Sequence, residues 1–334
     1  MEVDKSNLRA VILDSLKQTT HNLDFLNQLR LTRRSFDKIT LCGMGGSALM
    51  DDFFQYFKDF PPLRLAIPLG AHNSYHLPND VDQKTLVIVV SYSGNTEESI
   101  SSFKEAQKQN LEIAGITYGG KLGELFEQNK IPWIKIPGPQ IQPRFSLGYQ
   151  FNGLVKILMA YGLLAPFAQH EIQTLVEKIN PAEIESQAKL LCQKLINKIP
   201  VIYASEKNAI MAKLWKINFN ENTKIPAFYN AFPELNHNEM VGFTKNLGPF
   251  SFLFLTESED LAEIKNRMKL TAKILGERHL PVEFIEIKGQ TPLEKLFYAQ
   301  LMGNWLSYHL ALFYGIDPTP VEMVEEFKKQ LKSA

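Results

Sequence analysis

Short apolar runs alternate with helical stretches along the first 136 positions of the chain. Residues 39–42, 63–69, 86–91, 111–117 and 131–136 are rich in Ile, Leu and Val and do not alternate strictly with polar residues. That pattern predicts parallel strands buried on both faces, because a strand with one wet face would show a polar residue at every second position. Stretches at about 47–57, 96–109 and 121–129 read as helices between them. Strand and helix in turn predict an open parallel sheet with helices on both faces.

From about 145 to 196 the pattern is helical only. FNGLVKILMAYGLL at 151–164 has apolar residues at helical spacing and ends against Pro166. Pro181 opens PAEIESQAKLLCQKLI at the early helical position where proline is tolerated. Alternation then resumes, with strands expected at 200–204, 225–229, 250–255 and 282–287 and helices at 208–220 and 260–275. Two helices at about 292–314 and 320–332 close the chain. The predicted class is α/β with two doubly wound units, one over 1–150 and one over 151–334 that includes the helical link and the closing helix.

Composition narrows the function. The 334 residues carry 36 Lys+Arg against 36 Asp+Glu, so the chain lacks the basic excess of a general nucleic-acid binder. With 45% hydrophobic residues, among them 22 Phe and 11 Tyr, there is enough to bury that disorder is not expected. No leader of basic, apolar and small residues starts the sequence, and the longest apolar runs, 86–90 and 250–255, fall short of the roughly 20 residues that span a bilayer. Cys42 and Cys192 match no CxxC or zinc spacing and read as buried free thiols of a reducing compartment. The expectation is a cytoplasmic protein with no membrane or nucleic-acid partner.

Four segments carry candidate chemistry. In LCGMGGSALMDDF a strand runs into Gly43-Met44-Gly45-Gly46-Ser47 and then a helix. Glycines let backbone N–H groups approach a ligand and the helix N-terminus favours an anion, although the same glycines would serve a tight turn. The spacing is neither GxGxxG nor a P-loop. In VVSYSGNTEESI, Ser91, Ser93 and Thr96 place hydroxyls beside a helix N-terminus, with Gly94 permitting the turn. Such a loop binds a phosphate monoester without Lys or Arg and stands at a strand's carboxyl end, where open α/β sheets bind ligands. A helix cap accounts for Thr96 but not for Ser91 and Ser93.

In NFNENTKIPAFYNAFPELNHNEM, Glu221 is expected near a helix C-terminus, where the macrodipole disfavours a carboxylate and suits a proton acceptor. His237 follows in a polar segment, and a Glu with a His makes a workable proton-transfer pair near neutral pH. A solvated helix end and a polar surface loop would account for the same residues. His237, Glu234 and Glu239 do not have HExxH spacing, so no metal is expected. The fourth segment, PGPQIQPRFSLGY, offers Arg144, a lone cation that could stabilise an anionic intermediate or lie on the surface.

Taken together, GMGGSA at 43–48, SYSGNTEES at 91–99, NEN at 220–222, PELNHNE at 233–239 and DPTPVEMVEEFKK at 317–329 resemble the bifunctional phosphoglucose/phosphomannose isomerase family. That family is built from two sugar isomerase (SIS) domains. The resemblance runs from about 38 to 332 with the motifs in family order, and LMDD at 49–52 departs from the small, glycine-containing run that usually follows GMGGSA. It implies a homodimer with the active site between domains and near the partner subunit, and metal-free, cofactor-free aldose–ketose isomerisation of hexose 6-phosphates. By that similarity Gly45, Gly46, Ser47, Ser91, Ser93 and Thr96 hold the phosphate. Glu221 is the base that moves a proton between C1 and C2 through a cis-enediol(ate), and Arg144 stabilises its charge. His237 assists ring opening from across the dimer interface, joined by Lys328, which lies beside Lys329. Thr319 is the position tied to accepting mannose 6-phosphate. Two other readings stay open at this level: a non-catalytic sugar-phosphate sensor, and an isomerase of another phosphosugar.

Overall fold

The computed structural model describes residues 3–27, 35–138 and 140–331. Contacts divide the chain into two compact units, Asp14–Lys178 and Ile179–Ala334, and the first thirteen residues belong with the second. A short helix within them, α1 (Leu8–Leu13), packs on helices of that C-terminal unit.

The first unit holds one six-stranded sheet: β1 (Phe25–Leu26), β2 (Lys38–Cys42), β3 (Leu69–His72), β4 (Thr85–Val90), β5 (Glu112–Thr117) and β6 (Trp133–Lys135), in the order β1-β6-β5-β4-β2-β3. β1 runs antiparallel to β6, and the remaining neighbours are parallel. Its helices are α2 (Leu49–Tyr56), α3 (Glu97–Lys108), α4 (Gly120–Gln128), α5 (Leu147–Ala160), α6 (Phe167–Gln173) and α7 (Leu175–Lys178). β4, TLVIVV, is buried along its whole length at the centre. Val87 and Val89 meet Phe103 of α3 and Leu122 and Phe126 of α4 on one face. On the other, α5 approaches Ile116 and Ile134 at Gly153, and its Phe151 ring packs 5.8 Å from Phe53 and Phe57. The division expected at 150/151 therefore falls inside α5, whose apolar face belongs to the first sheet.

The second unit contains α8 (Pro181–Cys192), β7 (Ile199–Ser205), α9 (Ala209–Asn218), β8 (Phe228–Phe232), β9 (Phe250–Thr256), α10 (Ala262–Gly276), β10 (Val282–Glu286), α11 (Pro292–Phe313) and α12 (Glu322–Leu331). Its sheet is parallel, in the order β10-β9-β7-β8. Alternate residues of neighbouring strands, Val201 and Tyr203 with Phe252 and Phe254, share a core with Met268 and Leu275 of α10. α11 is buried at 18 of its 22 positions, packed against α1, α8 and α9, which explains why apolar residues are not confined to one of its faces.

Two strands start later than their apolar runs suggest, each shortly after a proline. Residues 63–68 are turn and coil, and β3 begins only at Leu69, after Pro68 has offered its carbonyl to Ile39 N–H at 2.9 Å. Ile225 is spent on the end of the preceding helix, where its N–H reaches the Phe219 carbonyl, and Pro226 has no N–H to give, so β8 begins at Phe228. Both cysteines are buried and free. Among the described residues no helix is long and apolar enough to cross a membrane.

Candidate active site

Three loops of the first unit gather at the carboxyl edge of β2 and β4. After Cys42 the chain turns through Gly43, whose N–H donates to the His72 carbonyl at 3.2 Å. A Cβ at Gly43 would stand 3.0 Å from the Val90 carbonyl oxygen, so the glycine lets this loop lie against the end of β4. Gly45 adopts φ +55°, and a short 3-10 turn, Gly45–Ala48, leads into α2 with Ser47 buried. The departure LMDD forms the start of that helix, with Leu49 and Met50 buried. A Cβ at Gly46 would meet the Arg144 Cα at 3.7 Å, which brings the third loop to the first.

The second loop leaves β4 at Ser91. The Ser91 hydroxyl lies 2.8 Å from that of Thr96 and accepts the Gly94 N–H at 3.1 Å. Ser93 Oγ accepts the Asn95 N–H at 3.2 Å. Gly94 is at φ +69°, and a Cβ there would lie 1.8 Å from the Gly119 carbonyl oxygen, so both conformation and space demand glycine. Thr96 occupies the N-cap position of α3, yet its side chain makes no capping bond. Its hydroxyl turns to Ser91 instead, which separates this loop from an ordinary cap. Tyr92, between the two serines, points into the core, and burial pushes its phenol up to about 12.

Arg144 is no surface arginine. It is 5% exposed in the 3-10 turn Pro143–Phe145, with its guanidinium carbon 4.9 Å from the Phe145 ring centroid. The turn is fixed by Gln18 Nε2, which donates to the Phe145 carbonyl at 2.7 Å, and by Ser146 Oγ, which donates to Pro143 at 2.7 Å. A buried cation beside a glycine-rich loop and a hydroxyl loop is an anion-directed arrangement.

Glu221 belongs to the second unit. α9 continues into a widened π-type turn, Phe219–Thr223, closed by Lys224 at φ +60°. Asn222 Nδ2 donates to Ser307 Oγ at 2.9 Å and Thr223 Oγ1 to the Ser307 carbonyl at 2.9 Å, both buried. Trp215 Nε1 donates to the Ala299 carbonyl at 2.7 Å about two turns earlier on α11. The turn is thus pinned to α11, with Glu221 half-buried on it. Lys224 Nζ donates to the Glu221 carbonyl and, at 3.2 Å, to the Pro318 carbonyl. That bond brings the turn to the segment holding Thr319, whose N–H donates to Asp317 Oδ1 at 3.1 Å.

The PELNHNE loop is held by residues around His237. Leu235 is buried, Asn236 Nδ2 donates to Thr271 Oγ1 at 2.9 Å, and Glu239 accepts from Tyr203 Oη at 2.6 Å and from Asn230 Nδ2. Burial, then the Glu239 carboxylate, hold the Tyr203 phenol well above its ordinary value. His237 itself is exposed. Among the described residues no three His, Cys, Asp or Glu side chains form a metal-binding group, and Glu234 accepts from Asn238 at 2.7 Å. Lys328 pairs with Glu325 at 2.8 Å on α12, a helix with no buried residue. Asn222, Thr223, Lys224 and Ser307 hold the turn that bears Glu221, a part the sequence did not disclose for them. Their only signal is the polar run NENTK and the small pair Gly303 and Ser307 one turn apart on an apolar helix.

The chain is 37% identical over 307 residues to the bifunctional phosphoglucose/phosphomannose isomerase of Caldicellulosiruptor bescii, covering 88% of this chain and 89% of that one. The chain belongs to that family. A second relative of the same description, from Thermoplasma volcanium, is 34% identical over 89% of this chain and 92% of its own length. Residues 184–331, which hold Glu221, His237, Thr319 and Lys328, match the model of the bacterial phospho-glucose isomerase C-terminal SIS domain. Among solved structures, the C-terminal domain of glucosamine-fructose-6-phosphate aminotransferase from Francisella tularensis superposes with a TM-score of 0.70 at 14% identity, over 93% of this chain and 95% of that one. The family's two parallel-sheet SIS domains are thus the fold of this chain, and the two alternating units expected from its sequence are those domains.

Proposed function

We propose that this chain interconverts fructose 6-phosphate with glucose 6-phosphate and with mannose 6-phosphate, without a metal ion, through a cis-enediol(ate). The observation that carries the reading is the family relation, with identity extending over nearly nine-tenths of the chain. The loop geometry supports the division of labour. Gly45, Gly46, Ser47, Ser91, Ser93 and Thr96 take the phosphate through hydroxyls and backbone N–H groups at the N-terminal ends of α2 and α3. Binding energy from that remote group holds the sugar in register for proton transfer.

Glu221 removes the proton from C2 of the open-chain aldose as the carbonyl oxygen at C1 takes one up, giving the enediol. It returns the proton to C1 while the C2 hydroxyl becomes the carbonyl of the ketose. Arg144 stabilises the negative charge of the enediolate. His237 and Lys328 serve ring opening, His237 from a partner copy in a homodimer. The exposure of His237 and the apolar stripe of Met323, Val324 and Phe327 on α12 suit a chain that buries these surfaces against another.

The test is conversion of fructose 6-phosphate in EDTA, with the two aldose products resolved. Formation of both supports the proposal. Binding without either product would mark a sensor, and turnover only after metal addition would overturn the metal-free route. Glu221→Gln is expected to abolish turnover while retaining binding, and near-normal turnover would remove Glu221 as the base.

A further inference from the structure

We infer that Lys224 is a positioning residue that ties the turn bearing Glu221 to the segment bearing Thr319, so that the two are set as one body. The inference rests on the proposed roles of Glu221 as base and Thr319 as specificity determinant. Its ammonium group donates to the carbonyl of Glu221 itself and to that of Pro318, one residue before Thr319.

The backbone adds an independent argument. Lys224 closes the helical turn in the left-handed region, at φ +60° and ψ 32°, with its N–H on the Phe219 carbonyl. That position at a helix end ordinarily favours glycine, which adopts it without a steric penalty. Glycine would close the turn but bond nothing, whereas the lysine side chain adds the contacts to both carbonyls. On the opposite side, Asn222 and Thr223 fix the turn to Ser307 of α11. Those bonds set how the turn sits on the helix. Lys224 sets where it sits relative to residues 317–319, which are themselves folded tightly by the bond from Thr319 N–H to Asp317.

The chemistry gives this tie a consequence. Glucose 6-phosphate and mannose 6-phosphate differ only in configuration at C2, and the enediol has lost that configuration. Which aldose forms depends on the face of C2 presented to the base. A residue that fixes Glu221 against the specificity segment therefore governs both the rate and the product ratio.

Lys224→Gly separates this role from a structural one, because it relieves the backbone while deleting the tie. The expected result is an unchanged or raised Tm, kcat from fructose 6-phosphate lowered by about 10-fold or more with KM within about twofold. The ratio of mannose 6-phosphate to glucose 6-phosphate should shift by about threefold or more. Lys224→Arg, which keeps a donor for both carbonyls, should restore most of the rate. A glycine variant with a wild-type rate and ratio overturns the inference, as does a loss of rate that leaves the ratio unchanged. Glu221→Gln, assayed alongside, keeps the two ideas apart. If it is inactive, the Lys224 result stands on its own; if it turns over, the base assignment fails first.

Discussion

Gly303 makes a sharp test of how the fold positions Glu221, the proposed base. It faces α9 from α11, and a Cβ there would lie 2.6 Å from Trp215 Cδ1, 2.8 Å from Nε1 and 3.1 Å from Asn218 Nδ2. Ordinary contact begins near 3.4 Å, so Gly303→Ala requires a displacement of about 0.8 Å in an interior packed like a crystal. The indole cannot simply withdraw. It is fully buried, and its Nε1 is committed to the Ala299 carbonyl at 2.7 Å. Overpacking of this kind costs about 1–3 kcal/mol, and weakening the indole bond adds about 1 kcal/mol. At about 2–4 °C per kcal/mol for a unit of this size, Tm should fall by roughly 4–16 °C. The turn Phe219–Thr223 continues α9 directly, so the displacement reaches Glu221. A misplacement near 1 Å costs on the order of 100-fold in rate. We therefore expect kcat to fall about 10- to 100-fold, with KM for fructose 6-phosphate within about threefold, because the proposed phosphate loops belong to the other unit. Thermal melts and steady-state kinetics read the two effects. A lowered Tm with normal kcat would refute the link between α11 packing and the base, and an unchanged Tm would refute the close helix contact itself.

Three further outcomes follow from other parts of the molecule. Thr96→Val keeps shape but deletes the hydroxyl 2.8 Å from Ser91 Oγ; KM should rise about 10-fold with little change in kcat, and a KM within about twofold would remove Thr96 from the phosphate site. Burial pushes the Cys42 thiol up to about 12 and the Cys192 thiol up to about 11, so iodoacetamide at pH 8 should label neither in the native protein and both after denaturation, and rapid native labelling would contradict their placement. Burial also holds His309 below its ordinary value of 6.5, against the opposing Glu185 carboxylate at 3.5 Å and with help from Lys189 and Arg9. The unfolded chain then takes up the proton first, so stability should fall as pH drops below about 6.5 toward the folded value. Tm profiles of the wild type and His309→Gln should diverge over that range, and parallel profiles would sink the argument.

The sequence disclosed the parts of this fold that follow from burial on both sides. β4 is apolar almost throughout and α11 apolar on most sides because they are enclosed, and the glycine and hydroxyl loops were legible because few other residues fit such turns. Strand starts were less legible. Leu63 is fully buried without being in a strand, and an apolar run cannot distinguish the two conditions. The fate of the first thirteen residues was not legible at all. They join the C-terminal unit through Arg9, paired with Glu185 at 2.7 Å, and Asp4, which accepts from Tyr308 Oη at 3.0 Å. Those partners are remote in sequence, and no local period encodes them. Glu221 and His237 stood out only through family resemblance, since a helix end and a polar loop have bland explanations of their own.

The two sheets also show why a position rule singles out the loops of the first unit and passes over Glu221. Both order their strands alike from the second strand of the motif outward, β3-β2-β4-β5 in one and β8-β7-β9-β10 in the other. The carboxyl edge is where open α/β sheets bind ligands, and in the first unit it carries glycines, hydroxyls and Arg144. In the second unit the same edge is filled by the chain itself. Lys295, 3% exposed at its side chain, lies 3.1 Å from both Glu257 and Glu259, and Lys207 reaches Glu257 at 2.5 Å. Asp260 accepts the Glu257 N–H at 2.9 Å. Carboxylates stand there in place of hydroxyls, and their charges are met by the lysines, so the edge offers an anion little. Glu221 is elsewhere. α9 starts at the carboxyl end of β7 and runs back along the sheet before β8 begins parallel to β7, which puts the turn at its far end, by the amino edge. The proposed anion loops thus lie at the common edge of the first sheet and the proposed base at the opposite edge of the second, so a function is argued from the loops that each sheet carries and not from the sheet itself.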